Sequence, residues 1–258
     1  MRLSAKRTYL WAEILLLVAV AGWLFGGCFA SKAEKKRRAA MPFYQEALNR
    51  FLDGDLETAR EKSVLATHKY PDFVEAHILY QRIRAKQLET KSLLKEYRKL
   101  MKENPDNPNF IFLYARLIDD LDEQERLYKK ITDIDKNCPW GYFGLGWVYY
   151  KRGQYDAAAE HFEQAVKLDP KNPLFHLDLG AAYYLMKHYR DAESELLKAA
   201  ELAPKLVEVW YDLGTVYYQL SDYDKAVEAL RKYVDLYPAA PDAKKVKKMI
   251  TQLSGGKL

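Results

Sequence analysis

The chain has 258 residues, 49% hydrophobic and 30% charged, enough apolar material for a buried core and too much for disorder or a collagen-like chain. Two cysteines exclude a disulfide-stapled miniprotein. The net charge of +5 is carried by the amino end: residues 1–40 hold eight basic and two acidic side chains, which leaves −1 for the other 218 and argues against a nucleic-acid binder.

The first element is residues 10–30, a 21-residue apolar stretch with one charge, Glu13. At about 1.5 Å per residue a helix of this length spans roughly 30 Å of hydrocarbon. Two readings stand. In one, residues 1–30 form a hydrophobic helix that anchors the chain, with Trp11 and Trp23 at the interfaces. In the other they form a secretory signal, with Arg2, Lys6 and Arg7 ahead of the apolar run Ile14–Leu24. Leu24-Phe25-Gly26-Gly27-Cys28 resembles a bacterial lipoprotein lipobox, which would make Cys28 the lipidated residue; Phe25 departs from its aliphatic pattern. Either way the body is tethered to a membrane, as a lipoprotein of a cell envelope or a single-pass inner-membrane protein. Residues 31–40, SKAEKKRRAA, read as a short polybasic stalk, where each basic group is worth up to about 1 kcal/mol at an anionic surface.

Beyond residue 40 the chain repeats itself. Gly146, Gly180 and Gly214 are 34 residues apart, as are Leu145, Leu179 and Leu213. Tyr149, Tyr155, Ala158 and Pro170 each recur at the same interval, twice more. Each unit reads as two amphipathic helices; in the clearest, helix A covers roughly Trp140–Lys151 and helix B roughly Tyr155–Leu168. Gly146 lets the two helices approach, Ala158 keeps the facing surface small, Gly153 suits a turn and Pro170 ends helix B. Six units follow from this interval: 40–73, 74–107, 108–138, 139–172, 173–206 and 207–240. The third is three residues short around Asp119-Asp120-Leu121. Residues 241–258 read as a cap, with Val246, Met249, Ile250 and Leu253 on one face and four lysines elsewhere.

Leu145-Gly146, Tyr149, Gly153, Tyr155, Ala158, Phe162, Ala165 and Pro170, with Trp210 early in the last unit, resemble the tetratricopeptide repeat family over residues 139–240. The resemblance implies an all-α fold: a right-handed α-solenoid of about six helix-turn-helix repeats over 41–240 with a C-terminal capping helix. It also implies a concave trough walled by A helices. Its inward offsets place Trp140, Phe143, Trp147, Tyr150, Tyr184, Tyr211 and Tyr218 on that wall, as a groove for a peptide or helix of a partner protein.

Chemistry gives little. No GxxxxGK[ST], HExxH, GxSxG or CxxC occurs, and the five histidines lack ligand spacing. Asp133–Asn137 opens like an EF-hand loop but has Cys138 where glycine must turn. Cys138 reads as a buried free thiol. Arg82, Lys86 and Arg116 read as solvated surface. The expectation is a non-catalytic protein with no metal, no cofactor and no small-molecule substrate, whose partners are a protein or peptide and, through its amino end, a membrane.

Overall fold

A computed structural model describes residues 31–255, in which all regular structure is helical. The anchor or signal segment, its apolar helix and Cys28 lie outside the described residues. Among these, no helix is long and apolar enough to cross a membrane.

Twelve of the thirteen described helices form six antiparallel pairs: α1 (Lys32–Leu52) with α2 (Leu56–Lys69), α3 (Val74–Lys86) with α4 (Thr90–Glu103), α5 (Pro108–Ala115) with α6 (Leu121–Ile134), α7 (Pro139–Lys151) with α8 (Tyr155–Leu168), α9 (Pro173–Leu185) with α10 (Tyr189–Leu202), and α11 (Val207–Gln219) with α12 (Tyr223–Leu236). Helix α13 (Ala243–Leu253) packs on α12, burying Val246 and Ile250 and leaving its lysines exposed. The fold is thus an α-solenoid of six repeats and a cap.

The periodic residues make the contacts their chemistry suggests. A Cβ at Gly146 would lie 2.5 Å from the Phe162 ring, and one at Gly214 2.6 Å from Leu230. Glycine is there because helix A and helix B touch at that point. Gly141 and Gly144 do the same work between repeats, against Ile131, Thr132 and Tyr128 of α6. A second periodic tie joins each A helix to the turn before it. Six residues apart, His77 Nε2 meets Pro71 O at 2.9 Å, Tyr142 Oη meets Lys136 O at 3.3 Å, His176 Nε2 meets Pro170 O at 3.0 Å and Trp210 Nε1 meets Pro204 O at 2.9 Å. A ring N–H or hydroxyl thereby satisfies a turn carbonyl that would otherwise lack a donor.

Two expectations need correction. Residues 31–40 are not a separate stalk. Ser31 caps α1 by accepting from Glu34 N at 3.1 Å, and lysine, arginine and alanine are good helix formers, so the helix runs unbroken from Lys32 through Pro42 to Leu52. Ala40 is fully buried with Phe73 and Ala76, and Arg37 stacks on Phe73 at 4.9 Å while pairing with Glu75. Nor is the concave face an open trough. The first two repeats meet the last two across it. Leu79 and Ile83 of α3 share an apolar cluster with Val207 of α11, and Phe51 of α1 stacks on Tyr237. Arg82 pairs with Glu208 at 2.5 Å, Lys86 donates to Tyr237 at 2.7 Å, and Lys205 donates to Asn49 at 2.9 Å. The bent ribbon closes on itself through side chains.

Candidate interaction surface

The seven aromatic residues assigned to the inner wall divide into two groups. Trp140 and Phe143 are 7% and 5% exposed. They are core residues, packed with Phe112 and Phe175 at centroid distances of 4.8–6.1 Å, so they present nothing to a partner. Trp147 is half-buried and structural: it lies edge-on to Phe162, and its Nε1 donates to Asp178 Oδ2 at 2.7 Å. Tyr211 is also half-buried, 5.4 Å from Tyr233.

The remaining three form a ladder. Tyr150, Tyr184 and Tyr218 occupy the last turn of α7, α9 and α11. Each meets a tyrosine at the start of the following helix: Tyr150–Tyr155 at 5.6 Å, Tyr184–Tyr189 at 5.7 Å and Tyr218–Tyr223 at 5.9 Å. The pairs recur once per repeat because both columns keep the 34-residue interval. The first two pairs are half-buried, and the last, Tyr218 and Tyr223, is exposed, each residue 48%. Leu185, beside Tyr184, is exposed as well. Amphipathic rings fixed in pairs offer contact area at little entropic cost.

A separate cavity of about 250 Å³ lies between α3, α5, α6, α7 and α9. Phe112, Tyr128, Phe143 and Trp147 supply rings to its wall, and Arg82, Arg116, Lys151 and Asp178 supply charge. Sequence reasoning treated Arg116 as solvated, but it is half-buried. Helix α5 is only eight residues long and Arg116 is its C-cap, so the side chain of a shortened helix reaches the interior. It donates to Gln81 Oε1, and burial pulls its guanidinium down to about 10. Gln81, standing where other repeats carry glycine, donates in turn to Leu113 O at 2.9 Å.

Two inner-wall carboxylates also escaped notice. Asp178 and Asp212 are 34 residues apart and both are pushed up to about 7. Burial is the main cause for each; Asp212 adds repulsion at Asp178, and Glu208 adds it at Asp212. Their signal in the sequence was an acid recurring in an otherwise apolar stripe. Cys138 is a buried free thiol, and burial raises its pKa. Among the described residues no group of histidine, cysteine and acid side chains is placed to hold a metal ion.

Comparison with known proteins places this architecture. Two family models match, a TPR repeat over residues 146–187 and a tetratricopeptide repeat over 188–251. A chain of the crystal structure of the APC/C hetero-tetramer Cut9–Hcn1 superposes with a TM-score of 0.59 at 17% identity; the match covers 82% of this chain and 42% of that one, so the present chain spans about two fifths of it. A structure titled for the functional characterization of Pseudomonas aeruginosa pilF superposes with a TM-score of 0.51 at 18% identity, covering 83% of this chain and 99% of that one. At such identities the likeness is one of fold. No curated protein matches. Residues 146–251 carry tetratricopeptide repeats, and the described chain as a whole shares the helical-solenoid fold of the structures it superposes on.

Proposed function

We propose that the protein is a non-catalytic, membrane-tethered interaction scaffold that holds an extended or helical segment of a partner protein on its tyrosine ladder. The observation that carries this reading is the tyrosine pair repeated once per repeat and most exposed at Tyr218–Tyr223. Regular spacing of identical contacts suits a segment lying across several repeats. The apolar residues 10–30 and the basic groups after them support the tether, which raises the partner's effective concentration near a membrane. Assembly of a cell-envelope complex is the role such a tethered scaffold fits.

A photo-reactive residue at Tyr218, in cells, tests it. A discrete crosslinked partner is expected there and none from Lys167 on the exposed back of α8, and Tyr184→Ala should weaken the adduct without loss of helicity. Equal crosslinking from both positions, or an adduct indifferent to Tyr184, would refute the ladder.

A second reading is favoured by charge: five basic groups follow the apolar stretch and three precede it, which would place the repeats in the cytoplasm, recruiting or regulating an enzyme. Palmitate labelling that vanishes in Cys28→Ser supports a lipoprotein, and absence of label supports a spanning helix.

A further inference from the structure

The cavity plays no part in docking on the tyrosines, and its charges are unbalanced. Asp178 is the one carboxylate in its lining, and it spends Oδ2 on the Trp147 N–H. Burial and Asp212 hold it toward its neutral form. Arg82 is engaged by Glu208. Arg116, in contrast, makes no ion pair among the described residues and hydrogen-bonds only to the neutral Gln81. Its fixed charge and unused N–H donors face a space of about 250 Å³, several times the roughly 30 Å³ that one water molecule takes in the liquid. A half-buried guanidinium is well matched by a planar anion that accepts two N–H donors at once, and the facing rings suit an apolar body.

We infer that this cavity binds the carboxylate of a small organic acid with an apolar or aromatic body, with Arg116 as its anchor. The same group also terminates a peptide. A free acid fits the site better, because the Arg82–Glu208 pair lies across the closed concave face and a peptide would have to thread past it. The inference stands on the cavity alone and is independent of the tyrosine ladder.

Titration calorimetry and thermal melting of the full chain in a non-ionic detergent provide the test. The probes are 3-phenylpropionate, its uncharged amide, and a short blocked peptide ending in phenylalanine as free acid or as amide. Phenylpropionate is expected to bind saturably and raise Tm. Its amide and the Arg116→Gln variant should each lose at least about tenfold in affinity, the scale of one charge-assisted bond. A peptide acid that binds more tightly than phenylpropionate would assign the carboxylate to a chain terminus and still support the site. No binding by either acid, equal binding of acids and amides, or full binding by Arg116→Gln would overturn it. Removing a half-buried charge that has no ion pair should not unfold the protein, and the acid–amide comparison needs no variant at all. Crosslinking at Tyr218 reads the scaffold separately, so one reading can fail while the other survives.

Discussion

At the scale of single residues, the half-buried acids of the inner wall make stability depend on pH. The Asp178 carboxyl is raised from 3.8 to about 7, so the folded protein keeps a proton that the unfolded chain releases. Its contribution is complete below pH 3.8 and is lost as pH rises through 7. His77 works in the opposite direction: burial lowers it from 6.5 to about 4, and its contribution is lost as pH falls below 6.5. The neutral ring suits its place, with Nδ1 2.8 Å from Tyr97 Oη and Nε2 on Pro71 O. A shift of about three units corresponds to roughly 4 kcal/mol. Asp178 keeps some contact with water, which reduces the figure. Asp178→Asn should therefore stabilise the protein at pH 8 by about 1–3 kcal/mol and flatten its stability profile above pH 7, as read by urea unfolding; Asn can still accept from Trp147. Equal stability of the two proteins at pH 8 would contradict a buried, proton-holding acid.

The groove residues show how far single positions were legible. Their inward offsets did mark the helix face that meets other A helices, but a face against a helix and a face against a partner have the same composition. Trp140 and Phe143 went to the first, while Tyr218, in the last turn of α11, stays exposed. Arg116 was misread for a related reason: nothing in its neighbours announces that α5 stops after eight residues.

Among the elements, five of the six helix hairpins share one turn geometry, and the shortened α5–α6 turn does not. The residues at 54, 88, 153, 187 and 221 all have positive φ, between 60° and 85°. Glycine supplies this at Gly54 and Gly153, whereas Leu88, Lys187 and Ser221 adopt it against the clash of their own Cβ. The 34-residue interval identifies these positions even where the residue type does not. Leu88 is 90% exposed and buries almost nothing. Leu88→Gly should thus raise stability by about 1 kcal/mol, measured as a higher urea midpoint with an unchanged slope. A lower midpoint would mean that the leucine makes contacts this geometry does not give it. Helix boundaries in the fourth repeat were readable to within a residue, because propensity, glycine contacts and the proline stop agree there. In the first three repeats the glycine column is filled by Ala47 and Gln81 or lost; Ala47 still packs closely, whereas Gln81 puts a hydrogen bond to Leu113 O in its place.

The molecule as a whole departs most from what its sequence implied. A repeat interval reports contacts between neighbours and is silent about repeats one and six. The closure rests on apolar contact more than on charge: the Arg82–Glu208 pair is largely solvated and worth at most about 1 kcal/mol, while Leu79, Ile83 and Val207 are buried. Leu79→Asp combined with Val207→Asp should open the solenoid, at a cost of roughly 2–4 kcal/mol. X-ray scattering is expected to show a larger radius of gyration with helicity retained. An unchanged radius would mean that these contacts do not hold the two ends together.

The first helix has a mechanical consequence. It starts directly after the apolar stretch and is fastened to the second repeat by Ala40 and Arg37. Nine residues of helix, Lys32 to Ala40, make a strut about 14 Å long rather than a slack leash. A group attached at Lys32 would therefore be held at a set distance and bearing from the second repeat instead of swinging freely.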